Sequence, residues 1–383
     1  MSATRDPSTG PQILFFTGGT ALRGVSRALI DLTWRSVHLV TPFDSGGSSA
    51  ALREAFGVIA VGDLRNRLLA LADPSQPGFI ALAALLNRRL SAQASQEDLR
   101  GQLQAIADGE SPEVRYLPTD ATAALREDMK QFLHACPADL NLRKASVGNL
   151  LLIGAWLGAD RDLYLALERW RARLGARGQV LPIVTADAHL HFTLDDGSVV
   201  VGQHRVSGKE CPAPESPIRA MKIINKLDDW TPTSAPIATP VDELIRQAEL
   251  ICFPMGSFYT SVLANLLPEG VVEAIAAAKC PKVFVANTGR DPEQRGLSVG
   301  AAATRLVGFA QERAGGGDAK DYLDTVVIDS EGGDYPDGVG AEALRRLGVR
   351  VLDLPLVTER SAPHYDAGRI ASLLVRLASA RPA

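Results

Sequence analysis

Cysteine is scarce in this sequence and never paired. The 383 residues contain four, Cys136, Cys211, Cys252 and Cys280, with no C-x-x-C spacing. That excludes zinc ribbons and thioredoxin-like redox motifs. The four read as buried small hydrophobes or free thiols of a reducing cytoplasm, the expected location. A basic excess is missing too. The net charge is −4 and the pI about 5.9, so no electrostatic footprint for nucleic acid is expected. Long apolar runs are absent: residues 150–157 are too few to cross a bilayer. The opening MSATRDPSTGPQ is polar without an apolar core, so neither a signal peptide nor membrane binding is expected. Three further motifs are lacking: G-x-G-x-x-G spacing, the Lys-Ser/Thr ending of a P-loop, and a G-x-S-x-G elbow.

What is present is an ordinary globular composition, 46% hydrophobic and 22% charged. The length allows one large α/β domain with an insertion, or two domains. Residues 1–11 carry Ser, Thr, Gly and Pro and read as a flexible arm. Residues 12–16 and 36–41 are short apolar strands. Between them lie Thr17-Gly18-Gly19-Thr20 and a helical pattern of Leu22, Val25, Leu29 and Leu32. This β-loop-α-β opening is typical of a parallel sheet. From 74 to 139 strand signals are scarce, and helices are predicted at 79–90, 96–107 and 120–134. Helices are also predicted at 62–72, 146–157 and 160–174, and strands at 180–184 and 218–224. Segments 189–194 and 198–205 flank Asp195-Asp196-Gly197 as a hairpin. Apolar strands at 250–253, 282–286, 325–328 and 349–352 then alternate with helices at 241–248, 260–267, 271–278, 301–310 and 341–347. The predicted fold is α/β: a three-layer, Rossmann-like, doubly wound, mainly parallel sheet with a β-hairpin. The core would span 12–73 and 140–383, with a helical insertion at 74–139.

Small polar loops follow several of these strands. Gly18, Gly19 and Thr20 follow the first, where glycine lets backbone approach a phosphate. A plain tight turn is the alternative. Asp44-Ser45-Gly46-Gly47-Ser48-Ser49 follows the second. Its glycines let consecutive N–H groups point into one concavity, and its serines cap the next helix or donate hydroxyls. Asp44 stands at the strand's C-terminal end, where open α/β sheets place ligands. It suits Mg²⁺ or a sugar hydroxyl; a merely capped helix is the alternative. Asp63 and Asn66 share a helix face, and Asp63 is either a cap or a contact to Mg²⁺ or ribose. Gly256, Ser257, Thr260 and Ser261 repeat the anion-site pattern after a later strand. Asn287 and Arg290 follow another strand and suit a base or sugar and a phosphate. His189 and His191 share a strand face, and a turn centred on Asp196-Gly197 puts His204 opposite His189. That face is either a zinc site or a solvated hairpin.

Five ordered stretches resemble the CofD/YvcK superfamily: Gly18-Gly19-Thr20, residues 44–49, 62–66, 146–150 and 256–261. One branch holds the 2-phospho-L-lactate transferases, and the other the gluconeogenesis-factor-like proteins that bind nucleotide sugars. The second branch is closer: its G-D-I-R-N resembles residues 62–66, and its G-S-L-Y-T-S resembles residues 256–261. Of the two aspartates in its D-D-G-G-S-S this chain keeps Asp44, with Phe43 standing at the position of the first. The loss should weaken a Mg²⁺ site. Ala145 stands where a histidine often precedes S-x-G-N. The resemblance implies a nucleotide-diphosphate ligand across the strand ends. Gly18, Gly19, Thr20, Gly46, Gly47, Ser48 and Ser49 would bind phosphates, and Asp44 and Asp63 would hold Mg²⁺ and serve any catalysis. Ser45, Arg65, Asn66, Asn149, Gly256, Ser257, Thr260, Asn287 and Arg290 would complete the pocket. It implies a sensor of a nucleotide sugar acting on a protein partner, or a Mg²⁺-dependent transferase of a phosphate-ester group to a hydroxyl. A homodimer is expected in either case.

Overall fold

The computed structural model describes residues 6–208 and 211–380. The elements run β1 (Ile13–Thr17), α1 (Arg23–Leu29), β2 (Val37–Val40), α2 (Gly47–Phe56), α3 (Gly62–Leu71), α4 (Phe79–Asn87), α5 (Gln96–Asp108), α6 (Thr119–Ala135), α7 (Val147–Leu157) and α8 (Leu163–Arg173). Next come β3 (Gln179–Pro182), β4 (His189–Leu194), β5 (Val199–Val201), β6 (Ile218–Ile224), α9 (Thr239–Arg246), β7 (Leu250–Phe253) and α10 (Val271–Ala277). The chain closes with β8 (Lys282–Val285), α11 (Val299–Ala314), α12 (Ala319–Tyr322), β9 (Thr325–Ile328), α13 (Ala341–Leu347), β10 (Arg350–Asp353) and α14 (Ala367–Ser379).

Seven strands form one sheet in the order β10-β9-β8-β7-β1-β2-β3, all parallel. A second, antiparallel sheet has the order β5-β4-β6. Strand β1 shows why the architecture has three layers. Its side chains alternate between the two faces of the sheet. Leu14 and Phe16 join a core shared with the small sheet, α10 and α11. Ile13 and Phe15 join a second core under α1 and α14. Both faces are covered, as an all-parallel sheet requires. A third core gathers α2 to α8, with α4 and α6 packed on α7 and α5 packed on α6. Among the described residues no helix is long and apolar enough to cross a membrane.

Three expectations change. Segment 260–267 is not an α-helix but a π-turn, Phe258–Val262, followed by a 3-10 turn, Leu263–Leu266. Asn265 Nδ2 donates to the Ser261 carbonyl at 2.6 Å, taking the acceptor that an α-helix would offer to the Asn265 N–H. Strand β5 ends at Val201, and His204 lies in the 3-10 turn Gln203–Arg205, not opposite His189. Helix α14 was not among the expected elements, although it buries Ile370, Ala371, Leu373 and Leu374 on one side. Of the N-terminal stretch, residues 1–5 lie outside the described residues. Pro7–Thr9 forms a 3-10 turn, and Gly10 is buried against Thr33.

Candidate functional site

Strand β1 lies between β7 and β2, where the chain reverses its direction of travel across the sheet. Such a switch point opens a crevice at the strands' C-terminal ends. The loops after β1, β7 and β8 all leave the sheet there.

The first loop is held from inside the protein. Arg67, fully buried on α3, donates to the Ser26 hydroxyl at 2.7 Å and the Thr17 hydroxyl at 3.0 Å. It also donates to the carbonyls of Gly18 and Gly19 at 2.9 and 3.0 Å. A trans peptide points its C=O and N–H in opposite directions. The N–H groups of Gly19 and Thr20 are therefore turned away from Arg67. Burial pushes the Arg67 guanidinium down to about 10, which leaves it charged at neutral pH.

The two glycines are required by close approach. A β-carbon on Gly18 would overlap Ser261, whose own Cβ would be 2.9 Å away. One on Gly19 would overlap the Asp63 carboxylate, with Cγ at 2.9 Å. The next residue back, Gly62, places the Asn149 amide and the Ser49 hydroxyl 3.5 and 3.8 Å from its own β-position. The first turns of α2, α3 and α7 thus meet at Ser49, Gly62 and Asn149, and Asp63 links them to the Gly18-Gly19 turn. Asn149 is buried, and its Oδ1 has no hydrogen-bond partner among the described residues. Beyond Ser261, a recess of about 80 Å³ separates Gly18, Gly19 and Thr20 from Gly256 and Ser257. It adjoins a cleft of about 450 Å³ between Ala21, Ser257, Asn287, Arg290 and His364.

The loop after β2 is built differently. Gly46 caps α2 in extended conformation, and Gly47 adopts φ 47°, where a side chain is disfavoured. Asp44 Oδ1 accepts the Gly46 N–H at 3.2 Å. Phe43 is wholly buried in the main core, where a carboxylate would lack solvent. Ser45, two residues on, faces His204, with Oγ 2.8 Å from Nδ1. Counted back from the shared Gly46-Gly47-Ser48-Ser49, the two aspartates of D-D-G-G-S-S fall at positions 44 and 45, so the departing position is Ser45, a correction to the reading that placed it at Phe43. Buried Arg53 fixes the loop from behind through the Asp44 carbonyl at 3.0 Å and the Asp187 carboxylate at 2.6 Å. Its Nη2 lies 3.2 Å from His189 Nε2. Burial first, and this cation second, push the His189 imidazole down to about 4.

Several expected contacts are taken up inside the protein. Arg65 is buried and donates to the Leu86 carbonyl, to Ser146 and to the Asn66 side chain. Asn287 brackets Gly256, accepting its N–H at 2.7 Å and donating to its carbonyl at 2.8 Å. At the π-turn the anion that suits a helix N-terminus is supplied by the chain itself. Glu293 accepts the N–H groups of Tyr259 and Thr260 and the Thr260 hydroxyl, and Asp291 accepts the N–H of Phe258. Burial, then the nearby Asp291 charge, push the Glu293 carboxyl up to about 7. Arg53, Arg67 and Glu293 carried no signal as site residues in the sequence.

Among the described residues no group of three or more His, Cys, Asp or Glu side chains could hold a metal. His191 instead stacks edge-on with Trp230, ring centroids 5.4 Å apart, so the three-histidine zinc face is not formed. Mg²⁺ needs only one or two carboxylates when ligand phosphates complete its shell. Asp63, beside the glycine turn, fits that requirement, and the unpartnered Asn149 Oδ1 adds an oxygen donor nearby.

The sequence model described as "2-phospho-L-lactate transferase CofD" matches residues 13–356. The gluconeogenesis factor of Bacillus subtilis is 28% identical over 386 residues, covering 96% of this chain and 98% of that protein. That of Listeria innocua is 26% identical, with 96% of each chain covered. A UPF0052-family crystal structure from Bacillus halodurans superposes with a TM-score of 0.71, 96% and 99% coverage and 23% identity, a likeness of fold.

Proposed function

We propose a binding function for this chain, which belongs to the CofD family: it holds a nucleotide-diphosphate ligand, such as a nucleotide sugar, at the switch-point crevice and acts as a sensor. The observation that carries this reading is the meeting of Ser49, Gly62 and Asn149 with Asp63 and the Gly18-Gly19 turn. Helix N-termini and outward N–H groups are suited to phosphates. The unpartnered Asn149 oxygen is suited to a hydroxyl donor or a cation. Mg²⁺ carried in by the diphosphate would be held by Asp63, with Asp44 at the neighbouring loop, and would neutralise phosphate charge. The 28% identity to a gluconeogenesis factor along nearly the full length of both chains supports the same reading.

A second reading is a transferase that moves a phosphate-ester group from the nucleotide diphosphate to a hydroxyl, supported by the family's own description. Binding without turnover is preferred. Asp44 already caps its own turn, and the neighbouring acidic position is Ser45, engaged with His204.

The test is a thermal-shift series of the purified chain with GDP, GTP, UDP, UDP-sugars and a deazaflavin, with and without Mg²⁺. A ligand at about a hundred times its Kd adds roughly 2.7 kcal/mol of stability. Stabilisation by a UDP-sugar without its consumption is the expected result. A joint response to GDP and deazaflavin would favour the transferase. No response to any nucleotide would overturn the reading.

A further inference from the structure

A second cleft, of about 520 Å³, opens on the far side of the loop that follows β8. This loop, residues 287–295, is a partition. Asn287, Gly289, Arg290, Asp291 and Pro292 line both clefts, whereas Arg295 and Tyr335 line only the far one. The volume lies in the range of small-molecule sites. The floor is apolar, with Phe284 and Val299 both buried. One side is the Tyr335 ring, held in place because its hydroxyl accepts the Asp329 N–H at 2.9 Å and lies 2.8 Å from the Tyr365 hydroxyl.

The cations of this cleft have no internal task. Neither Arg290 nor Arg295 makes a hydrogen bond or an ion pair among the described residues. Asp291 turns its carboxylate to the N–H groups of Phe258 and Glu293, and Asp337 stands on the exposed opposite lip. Two guanidinium groups beside an apolar floor and a fixed aromatic wall match a ligand with a ring and a phosphate dianion.

We infer that the far cleft is a second binding site, for a small aromatic or cyclic phosphate monoester, gripped by Arg290 and Arg295 with its ring between Phe284 and Tyr335. The inference does not rest on the nucleotide reading of the first crevice.

The experiment is a ligand-observed NMR titration of the full chain with phenyl phosphate, with benzoate and phenol as companion probes. Saturable binding of phenyl phosphate is expected, with benzoate weaker and phenol weakest. Arg295→Ala should weaken phenyl phosphate about tenfold or more, and Arg295→Lys less. Both side chains are exposed, so folding is preserved, and the melting temperature checks this. Arg290→Ala should weaken it similarly. Absence of saturable binding to the wild type would overturn the inference. So would an Arg295→Ala variant that binds phenyl phosphate as well as wild type, because the phosphate would then sit in the near crevice. Failure of every nucleotide in the thermal-shift series, with phenyl phosphate bound and lost in Arg295→Ala, would sink the nucleotide reading alone.

Discussion

Glu293 holds Thr260 at two points: Oε2 accepts the backbone N–H at 2.8 Å and Oε1 accepts the hydroxyl at 2.6 Å. The loop after β8 thus fixes the turn after β7, which carries Ser257 to the crevice.

A pH dependence follows from this contact. The folded-state pKa of Glu293 is raised to about 7 by burial and the Asp291 charge. Its contribution to stability is fully present below the unfolded value near 4.5 and declines as pH rises through 7. Glu293→Gln should lack this decline. Denaturant titrations of wild type and variant at pH 5 and 8 test it, and equal differences at the two values would refute it.

His189 slopes the other way. Its pKa falls to about 4 through burial and the Arg53 charge. The stability linked to its neutral form is present above about 6.5 and is lost as pH falls through 4. His189→Gln should therefore lose less stability than wild type between pH 7 and 4.5. Because Glu293 acts in an overlapping range, the comparison must be variant against wild type at each pH.

Arg67→Met should be among the most damaging changes in the molecule. It leaves the Gly19 carbonyl and two buried hydroxyl oxygens without their Arg67 donor, and the Gly18 carbonyl with the Thr17 hydroxyl at 3.1 Å alone. The loss is about 3 kcal/mol or more. Arg67→Lys should restore only part, since one ammonium cannot span these acceptors. Chemical denaturation gives the values directly.

Gly19→Ala should separate fold from binding. The new methyl group meets the Asp63 carboxylate, a clash costing about 1–3 kcal/mol. The folded fraction should lose nucleotide-induced stabilisation. Asp63→Asn, which leaves the space unchanged, should abolish any Mg²⁺-dependent part of that stabilisation and keep the rest. A Mg²⁺ response unchanged in Asp63→Asn would exclude this carboxylate as the ion's ligand.

Much of the fold was legible because its strands are short apolar runs closed by small polar loops. Leu250–Phe253, Thr325–Ile328 and Ile218–Ile224 stand where the pattern places them. The order of the strands was not legible, because pairing β1 with β7 joins residues more than 230 positions apart. Local pattern misread the Thr260 segment, where a side chain from within the turn, Asn265, competes for a backbone acceptor. The glycine turn and Asp63 were visible as chemistry-bearing residues. Arg67 was not, since an arginine within a helical stretch reads as solvent-facing until the carbonyls that bury it come from another loop. Glu293 was hidden for the same reason, because the turn it caps begins some 30 residues earlier.

The buried arginine also bears on the thermodynamics of ligand entry. Residues 17–19 are held by Arg67 through hydrogen bonds internal to the protein. A ligand arriving there has little backbone disorder to remove, so its affinity is not reduced by an ordering cost at this loop. Backbone NMR order parameters at Gly18 and Gly19 should be those of a rigid loop before any ligand is added, with association resembling a rigid encounter rather than a folding step.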